Sequence, residues 1–336
     1  IEEIFDIISL TTERDKFLYF YEQALKSRLL SISNYNEGIE NAFLKRLNQV
    51  MGEQQIIRVK GMIQDIINSK TLNTDLATFM TQRKAKYGQL KSDLFSIYLL
   101  TKSSWPKDVL EYETCQLPAD LLEYVKCFNE YYEIQNPGQT KVVDWLLEEG
   151  FVEVSTSLGK TKKVLILTVP QYAILSVLAS SPDMKMSLGN LKEATKIKKI
   201  LASLGPLASK KLVNRENPDI KAKIEDSENL WINPDFQSKT REINFVVRKT
   251  LKNRSTEGDK DKIDELRKAQ IEAAIVKIMK SKKVSKFLEL ATDVRKLLQE
   301  HFQPPDNLLR MMIEELIKRE YLERDENDMN IYKYRA

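Results

Sequence analysis

The chain has 336 residues, of which 42% are hydrophobic and 30% are charged, and 53 Lys and Arg against 49 Asp and Glu give a formal net charge of +4. This composition is typical of a globular protein with a polar surface, and the length allows roughly two or three domains. The small charge excess does not by itself predict nucleic-acid binding. Two cysteines and one histidine make a structural zinc site, which needs four N or S ligands, very difficult to build.

The sequence holds few of the residues that enzymes use for nucleophilic or metal chemistry. Cys115 and Cys127 have no partners at zinc spacing, and we expect them to be free thiols. His301 is expected to be a partly exposed residue near a helix end. The sequence has no phosphate-binding glycine motif, no signal-peptide pattern and no apolar run long enough to span a membrane. These features favour an intracellular protein that is not an enzyme.

Long amphipathic helices are predicted for residues 1–138. Thr12 and Asp15 form a typical capping pair before a first helix. Further helices are predicted over about 36–51, where Gly52 indicates the end, and over about 53–80. A fourth is predicted to begin with Pro118 at its first position. Long helices joined by short links favour a helical bundle.

Short strands and helices are predicted for residues 139–248. Three apolar or alternating runs, at 142–146, 151–154 and 164–167, are typical of strands. Three short helices with strand-like pieces follow, which favours a winged helix. The polar run 249–262 has no apolar stripe and is predicted to be an interdomain linker.

Residues 263–336 repeat the plan of three helices and a wing. The helices are predicted over about 265–280, 287–302 and 307–319, and a hairpin closes the chain. The predicted fold is therefore mainly α with a small α+β region. It comprises a helical bundle, an α/β region with a first winged helix, and a C-terminal winged-helix domain.

Five lysines fall between positions 277 and 286, with no acid among them. The apolar stripe of the predicted helix buries Ile275, Ile278 and Met279 and leaves Lys277 and Lys280 on the outer face. The lysines could form a solvated helix end, a nucleic-acid patch, or a place where one amine attacks a thioester. The early turns of the third helix carry one Arg against two Glu, which is unfavourable for reading a DNA groove. Spacing does not choose between the first and third possibilities.

Several motifs resemble those of the cullins, the scaffold subunits of multisubunit ubiquitin ligases. IEAAIVKIMKSKKV at 271–284 and LIKREYLERDENDMNIYKYRA at 316–336 are similar to the C-terminal signature of that family, with Lys277 in place of its usual Arg and Glu272 in place of its usual Gln. DKFLYFYEQALKSRLL, SWP and LPADLLEYVKCFNEYY upstream also resemble family motifs. The similarity covers the whole chain, as the C-terminal half of a divergent cullin.

The resemblance implies that Lys280 receives the ubiquitin-like modifier of cullins through an isopeptide bond. Lys277, Lys282 and Lys283 surround it and are the expected fallback acceptors. The resemblance also implies that a strand region pairs with an N-terminal strand of a RING-box protein by β-augmentation. The residues of that region are Val142, Val143, Trp145, Phe151, Val152, Val154, Val164 and Ile166.

Further partners are implied by the resemblance alone. A ubiquitin-conjugating enzyme would bind through the RING partner, and an adaptor with its substrate receptor would bind an N-terminal half that these residues do not include. No cofactor is expected in this chain, since the zinc would belong to the RING partner. The expected location is the cytoplasm and nucleus. No membrane contact is expected, and the alternative function, a winged-helix nucleic-acid-binding protein, is disfavoured by the near-balanced charge of residues 263–336.

Overall fold

The structure is a computed structural model that describes residues 2–31, 35–106, 115–138, 142–158, 161–217, 223–247, 256–326 and 328–335. The chain divides into two compact units, one formed by residues 1–60 and 249–336 and the other by residues 61–248. The predicted bundle over 1–138 is therefore not one compact body. The boundary between the units, at 60/61, falls inside a long helix. Neither the apolar periodicity nor the loop pattern of the sequence indicates a boundary there.

Six α-helices lie in the described part of the first 138 residues. They are α1 (Glu2–Leu10), α2 (Arg14–Leu29), α3 (Glu37–Met51), α4 (Glu53–Gln82), α5 (Lys84–Tyr87) and α6 (Ala119–Gln135). The end of α3 is as predicted, because Gly52 adopts φ 82° there and donates its N–H to the Asn48 carbonyl. The start of α2 differs from the predicted Thr12–Asp15 cap, since Glu13 is the N-cap and makes no side-chain capping bond. Pro118 likewise precedes α6 instead of lying in its first turn.

The described residues in the middle of the chain form two small sheets and three short α-helices. In chain order the elements are β1 (Phe151–Leu158), β2 (Thr161–Thr168), α7 (Val169–Ser180), β3 (Lys185–Ser187), α8 (Leu188–Thr195), α9 (Ile200–Ser209), β4 (Val213–Arg215), β5 (Asn229–Ile232) and β6 (Glu242–Asn244). One sheet has the order β1-β2-β6, with β1 and β2 antiparallel, and the other has the order β3-β5-β4. We call α7–α9 with β3–β5 the first winged helix. Its core includes Ile174, Leu204 and Leu230.

The end of the chain forms a second unit of the same plan, which we call the second winged helix. Its elements are α10 (Thr256–Lys282), β7 (Val284–Lys286), α11 (Phe287–Leu298), α12 (Asp306–Lys318), β8 (Leu322–Arg324) and β9 (Ile331–Tyr334). The sheet order is β7-β9-β8, and β8 and β9 form the predicted terminal hairpin. The predicted stripe is confirmed for Ile271, Ala274, Ile275 and Met279, which are buried, whereas Ile278 is only partly buried.

The start of α10 corrects the predicted linker. Residues 256–262 are helical, and residues 249–255 lie outside the described residues. Asp259 is buried and accepts a hydrogen bond from the Tyr19 hydroxyl at 3.1 Å, and Ile263 is buried as well. Arg267 forms an ion pair with Asp15 at 2.6 Å. The polar run is therefore helical because α2 supplies partners that a local sequence pattern does not reveal.

The predicted strand at 142–146 is also wrong. Those residues are irregular, and Val142 is 82% exposed. Trp145 instead packs edge-on against Phe128 of α6, with ring centroids 5.5 Å apart, and Val143 packs against the same core cluster. Alternating apolar residues therefore bind a helix here and not a neighbouring strand. Among the described residues, none of the helices is both long enough and apolar enough to cross a membrane.

Candidate functional site

The end of α10 brings Lys280 to the surface. Ile275 and Met279 are buried in the core, whereas Lys280 is exposed in the last turn, where the helix dipole favours a cation. Lys283 follows the helix with φ 66° and donates its N–H to the Met279 carbonyl at 2.8 Å. This left-handed residue ends the helix and directs the chain into β7.

The lysines at this helix end differ in what they contact. Lys282 Nζ donates to Asp293 Oδ2 on α11 at 2.5 Å, and this hydrogen bond raises the pKa of Lys282. Lys283 Nζ lies 5.1 Å from the centroid of the Tyr334 ring, and its backbone carbonyl accepts the Tyr334 N–H. Both of these side chains are therefore held against their own domain.

Lys277 and Lys280 are free of such contacts. Within the described part of the chain, neither lysine makes an ion pair, a hydrogen bond or a ring contact, and both are exposed. Of these four lysines, Lys282 and Lys283 thus contact their own domain, whereas Lys277 and Lys280 have available amines. The spacing of lysines along the sequence contains no information of this kind, since Asp293 and Tyr334 lie on other elements.

A shallow apolar cleft of about 390 Å³ lies on the same helix. Ala269, Ala273 and Val276 of α10 line it together with Tyr321, and Glu272 lies at its edge in an ion pair with Arg319 at 2.7 Å. Val276 and Lys280 are four residues apart, so they lie on one helical face. The available amine therefore follows an apolar surface along α10.

The outer edge of β1 is the second candidate site. Among the described strands, β1 pairs only with β2. The Val164 N–H donates to the Arg241 carbonyl, so the polar backbone groups of Val164 point toward β6. Its partner Ser155 is therefore in a non-hydrogen-bonded pair, and the N–H and C=O of Ser155 point to the open edge. The same reasoning applies to Glu153, because the Ile166 carbonyl accepts the Phe245 N–H.

The predicted strand region is only partly a strand. Phe151, Val152 and Val154 lie on β1, and Val164 and Ile166 lie on β2. Val142, Val143 and Trp145 lie before the sheet in irregular chain. Residues Glu153 and Ser155, whose backbones face the open edge, were not among the predicted contact residues, because only the register shows which way each backbone group points.

The cysteines and the histidine are the other chemically reactive side chains that the sequence singles out. Among the described residues neither Cys115 nor Cys127 forms a disulfide, as predicted, and burial raises the pKa of Cys127 to about 11. His301 is partly exposed beyond α11, and its carbonyl accepts the Asp15 N–H. Among the described residues, no group of three His, Cys, Asp or Glu side chains could hold a metal ion.

Three family models match successive parts of the chain. Residues 1–73 match the cullin alpha solenoid domain, residues 99–236 match the cullin alpha+beta domain, and residues 266–328 match the cullin protein neddylation domain. The chain belongs to the cullin family. The neddylation-domain match covers most of the second winged helix, from within α10 to β8, and contains Lys277, Lys280 and Lys282.

Curated cullins are similar over the whole chain. Cullin-2 of Arabidopsis thaliana is 26% identical over 345 residues, and Cullin-3 of Caenorhabditis elegans is 28% identical over 368 residues, each covering 100% of this chain. The chain spans 44% and 46% of those proteins, which is about half of their length. A chain from a solved structure described as "A Dual E3 Mechanism for Rub1 Ligation to Cdc53: Dcn1(P)-Cdc53(WHB)" is 26% identical, with a TM-score of 0.23, over 27% of this chain and 99% of that one.

Proposed function

We propose that the protein is a scaffold of a cullin-RING ubiquitin ligase and that a ubiquitin-like modifier on Lys280 activates it. The observation that carries the proposal is an exposed amine without an ionic or hydrogen-bonding partner in the described structure, at the end of α10 and inside the residues that match the neddylation domain. Lys277 is available as well, and the family motif favours Lys280 between the two.

The proposed reaction is the aminolysis of a thioester. The Lys280 ammonium loses a proton to solvent, and the neutral amine attacks the carbonyl carbon that joins the C-terminus of the modifier to a cysteine of its conjugating enzyme. The C–N isopeptide bond forms and the C–S bond breaks. The sulfur leaves as a thiolate, and the nitrogen gives up a second proton as the amide forms.

Nedd8 transfer tests this site directly. We expect the full chain to accept Nedd8 from its conjugating enzyme, and we expect Lys280→Arg to reduce transfer at least tenfold while Lys277→Arg leaves it within about twofold of wild type. Arginine keeps the charge but cannot act as the nucleophile. Undiminished total transfer to Lys280→Arg would contradict the assignment.

The open edge of β1 is the proposed binding site for a RING-box protein. An added strand would donate to and accept from the outward backbone groups of Glu153 and Ser155, which gives affinity without requiring particular side chains. The RING-box protein would hold the zinc, bring the ubiquitin-conjugating enzyme, and place it near a substrate. The scaffold itself would act through proximity, with no catalytic residue of its own.

A proline at Ser155 tests the strand-addition proposal. Ser155→Pro removes one outward N–H and leaves the β1–β2 ladder intact, because proline is tolerated at an open strand edge. One lost backbone hydrogen bond is worth about 1 kcal/mol, so we expect RING-box affinity to fall about fivefold or more in a titration. Ser155→Ala is the matched control and keeps the N–H. Equal affinity for all three chains would rule out pairing at this edge.

The remaining proposed partners follow from the family. An adaptor and substrate receptor would bind the part of a cullin that these residues do not include, and the complex would act in the cytoplasm and nucleus. Nucleic-acid binding is less well supported. Arg310, the arginine of the early turns of α12, stacks 3.8 Å from the centroid of the Phe287 ring and is thus held against its own domain.

A further inference from the structure

Lys282 is the lysine nearest to Lys280 in sequence, and the same helix end could also present it to a thioester. It is two residues further along α10, in the same last turn, and its side chain is 46% exposed. Exposure and position alone would therefore allow modification at Lys282. Lys280 and Lys282 therefore differ in the contacts that their side chains make, although both are accessible to solvent.

Asp293 supplies that difference. Its Oδ2 atom accepts from Lys282 Nζ at 2.5 Å, and its own side chain is only 34% exposed because α11 packs against α10. A second acid on the same helix, Glu289, adds to the field that favours the charged form of Lys282. An ammonium held by a carboxylate is a poor nucleophile, since attack requires that it lose both the hydrogen bond and a proton.

Lys283 is also held against its own domain, but by different contacts. Its backbone is fixed by bonds to Met279 and Tyr334, and its ammonium lies over the ring of Tyr334. This contact is with an aromatic face and involves no carboxylate. The ion pair of Asp293 is with Lys282, so a substitution at Asp293 removes this contact and leaves the Lys283 contact in place.

We propose that Asp293 is a specificity-determining residue, which lowers the reactivity of Lys282 in the modification reaction and so favours Lys280 as the acceptor in the last turn of α10. This inference rests on the proposed function for its biological meaning. The physical part, that Asp293 lowers the reactivity of the Lys282 amine, holds independently of any conjugating enzyme and can be measured without one.

Competitive labelling of the full chain with a limiting amount of an amine-acetylating reagent measures the reactivity of each lysine. In wild type we expect Lys282 to label more slowly than Lys280. In Asp293→Asn we expect Lys282 to label about two to five times faster than in wild type, as the loss of an exposed ion pair allows. An unchanged Lys282 rate would overturn the proposal.

Asp325→Asn is the matched control, because Asp325 forms an ion pair with Lys333 at 2.6 Å in the same domain. It removes the same charge from the same winged helix. We expect it to raise labelling at Lys333 and to leave Lys282 unchanged. An equal rise at Lys282 in this control would show that net charge, and not the Asp293 contact, sets the Lys282 rate, and would overturn the proposal.

Nedd8 transfer then tests specificity. Mapping by mass spectrometry should find little Nedd8 on Lys282 in Lys280→Arg and at least twofold more in the double variant Lys280→Arg/Asp293→Asn. Equal amounts on Lys282 in these two chains would overturn the proposal. Failure of wild type to accept Nedd8 at Lys280 would instead contradict the proposed function. The labelling experiment would still test the effect of Asp293 on the reactivity of Lys282.

Discussion

The two winged helices of this chain share one plan and differ at the end of their first helix. Both run helix, strand, helix, helix, strand, strand, and in both sheets the last strand lies between the other two. In the first winged helix, α7 is followed by the turn Pro182–Met184, and the next lysine is Lys185. In the second, the helix itself continues through Lys280 to Lys282.

The lysines at the two helix ends are in different states. Lys185 Nζ lies 3.1 Å from Glu216 Oε1 and 5.3 Å from the centroid of the Trp231 ring, so an acid and an aromatic face both engage it. Lys280 has no such partner in the described structure. The winged helix alone is therefore not enough to make a candidate acceptor. The distinguishing feature is an exposed amine that its own domain does not engage.

The shared architecture predicts that truncating a core side chain lowers the stability of the two winged helices by similar amounts. Ile174 of α7 and Ile275 of α10 are both fully buried. We expect Ile174→Ala and Ile275→Ala each to lower the free energy of unfolding of its own unit by about 2–5 kcal/mol, because each leaves a cavity. Hydrogen exchange in denaturant, followed on peptides from α7 and α10, reports the two units separately.

The exposed Leu288 gives a control for that experiment, since its side chain is 76% exposed. We expect Leu288→Ala to change the free energy of unfolding by less than about 0.5 kcal/mol. A loss under about 1 kcal/mol for either buried isoleucine would show that the two helices do not play equivalent parts in their cores.

The two winged helices each contain an Arg–Glu ion pair, and we expect the more buried pair to contribute more to stability. Arg215 donates to both carboxylate oxygens of Glu228 in the first winged helix, at 2.7 and 2.8 Å, and both side chains are at most 10% exposed. The pair Arg324–Glu314 in the second is more exposed. We expect Glu228→Gln to cost about 1–3 kcal/mol and Glu314→Gln less than about 1 kcal/mol in unfolding measurements. Equal losses would contradict this contrast.

The same pair predicts a dependence on pH in the first winged helix. The Arg215 hydrogen bonds, opposed by burial and helped by the Asn217 N–H, lower the pKa of Glu228 below its ordinary 4.5. Its contribution to stability is therefore present above about pH 4.5 and is lost as the pH falls through the lower folded-state pKa. Unfolding measured from pH 6 to pH 3 should show this loss in wild type and a weaker one in Glu228→Gln. Identical pH profiles would contradict the assignment.

How far the sequence predicts the fold depends on where each element finds its partners. The stripe of α10, apart from Ile278, and the glycine that ends α3 are local signals that the sequence predicts correctly. The sequence does not predict the start of α10, because Asp259 is stabilised there by Tyr19, a residue far away in the chain. The alternation of residues 142–146 predicts a strand, whereas in the structure Trp145 packs on a helix.

The candidate site shows the same division. Helical spacing predicts that Lys277 and Lys280 are exposed, and the structure agrees. It does not predict that Lys282 is paired, because Asp293 reaches it from the next helix. Nor does it indicate that Ser155 faces an open edge, which depends on the register of β1 with β2 and of β2 with β6.

The most direct test of the central claim is to map Nedd8 on the wild-type chain after enzymatic transfer, by mass spectrometry of the isopeptide-linked peptides. The account predicts that most of the modifier is on Lys280, that little is on the paired Lys282, and that none is on Lys185 of the first winged helix. Modifier distributed equally over Lys280 and Lys282, or found on Lys185, would contradict it.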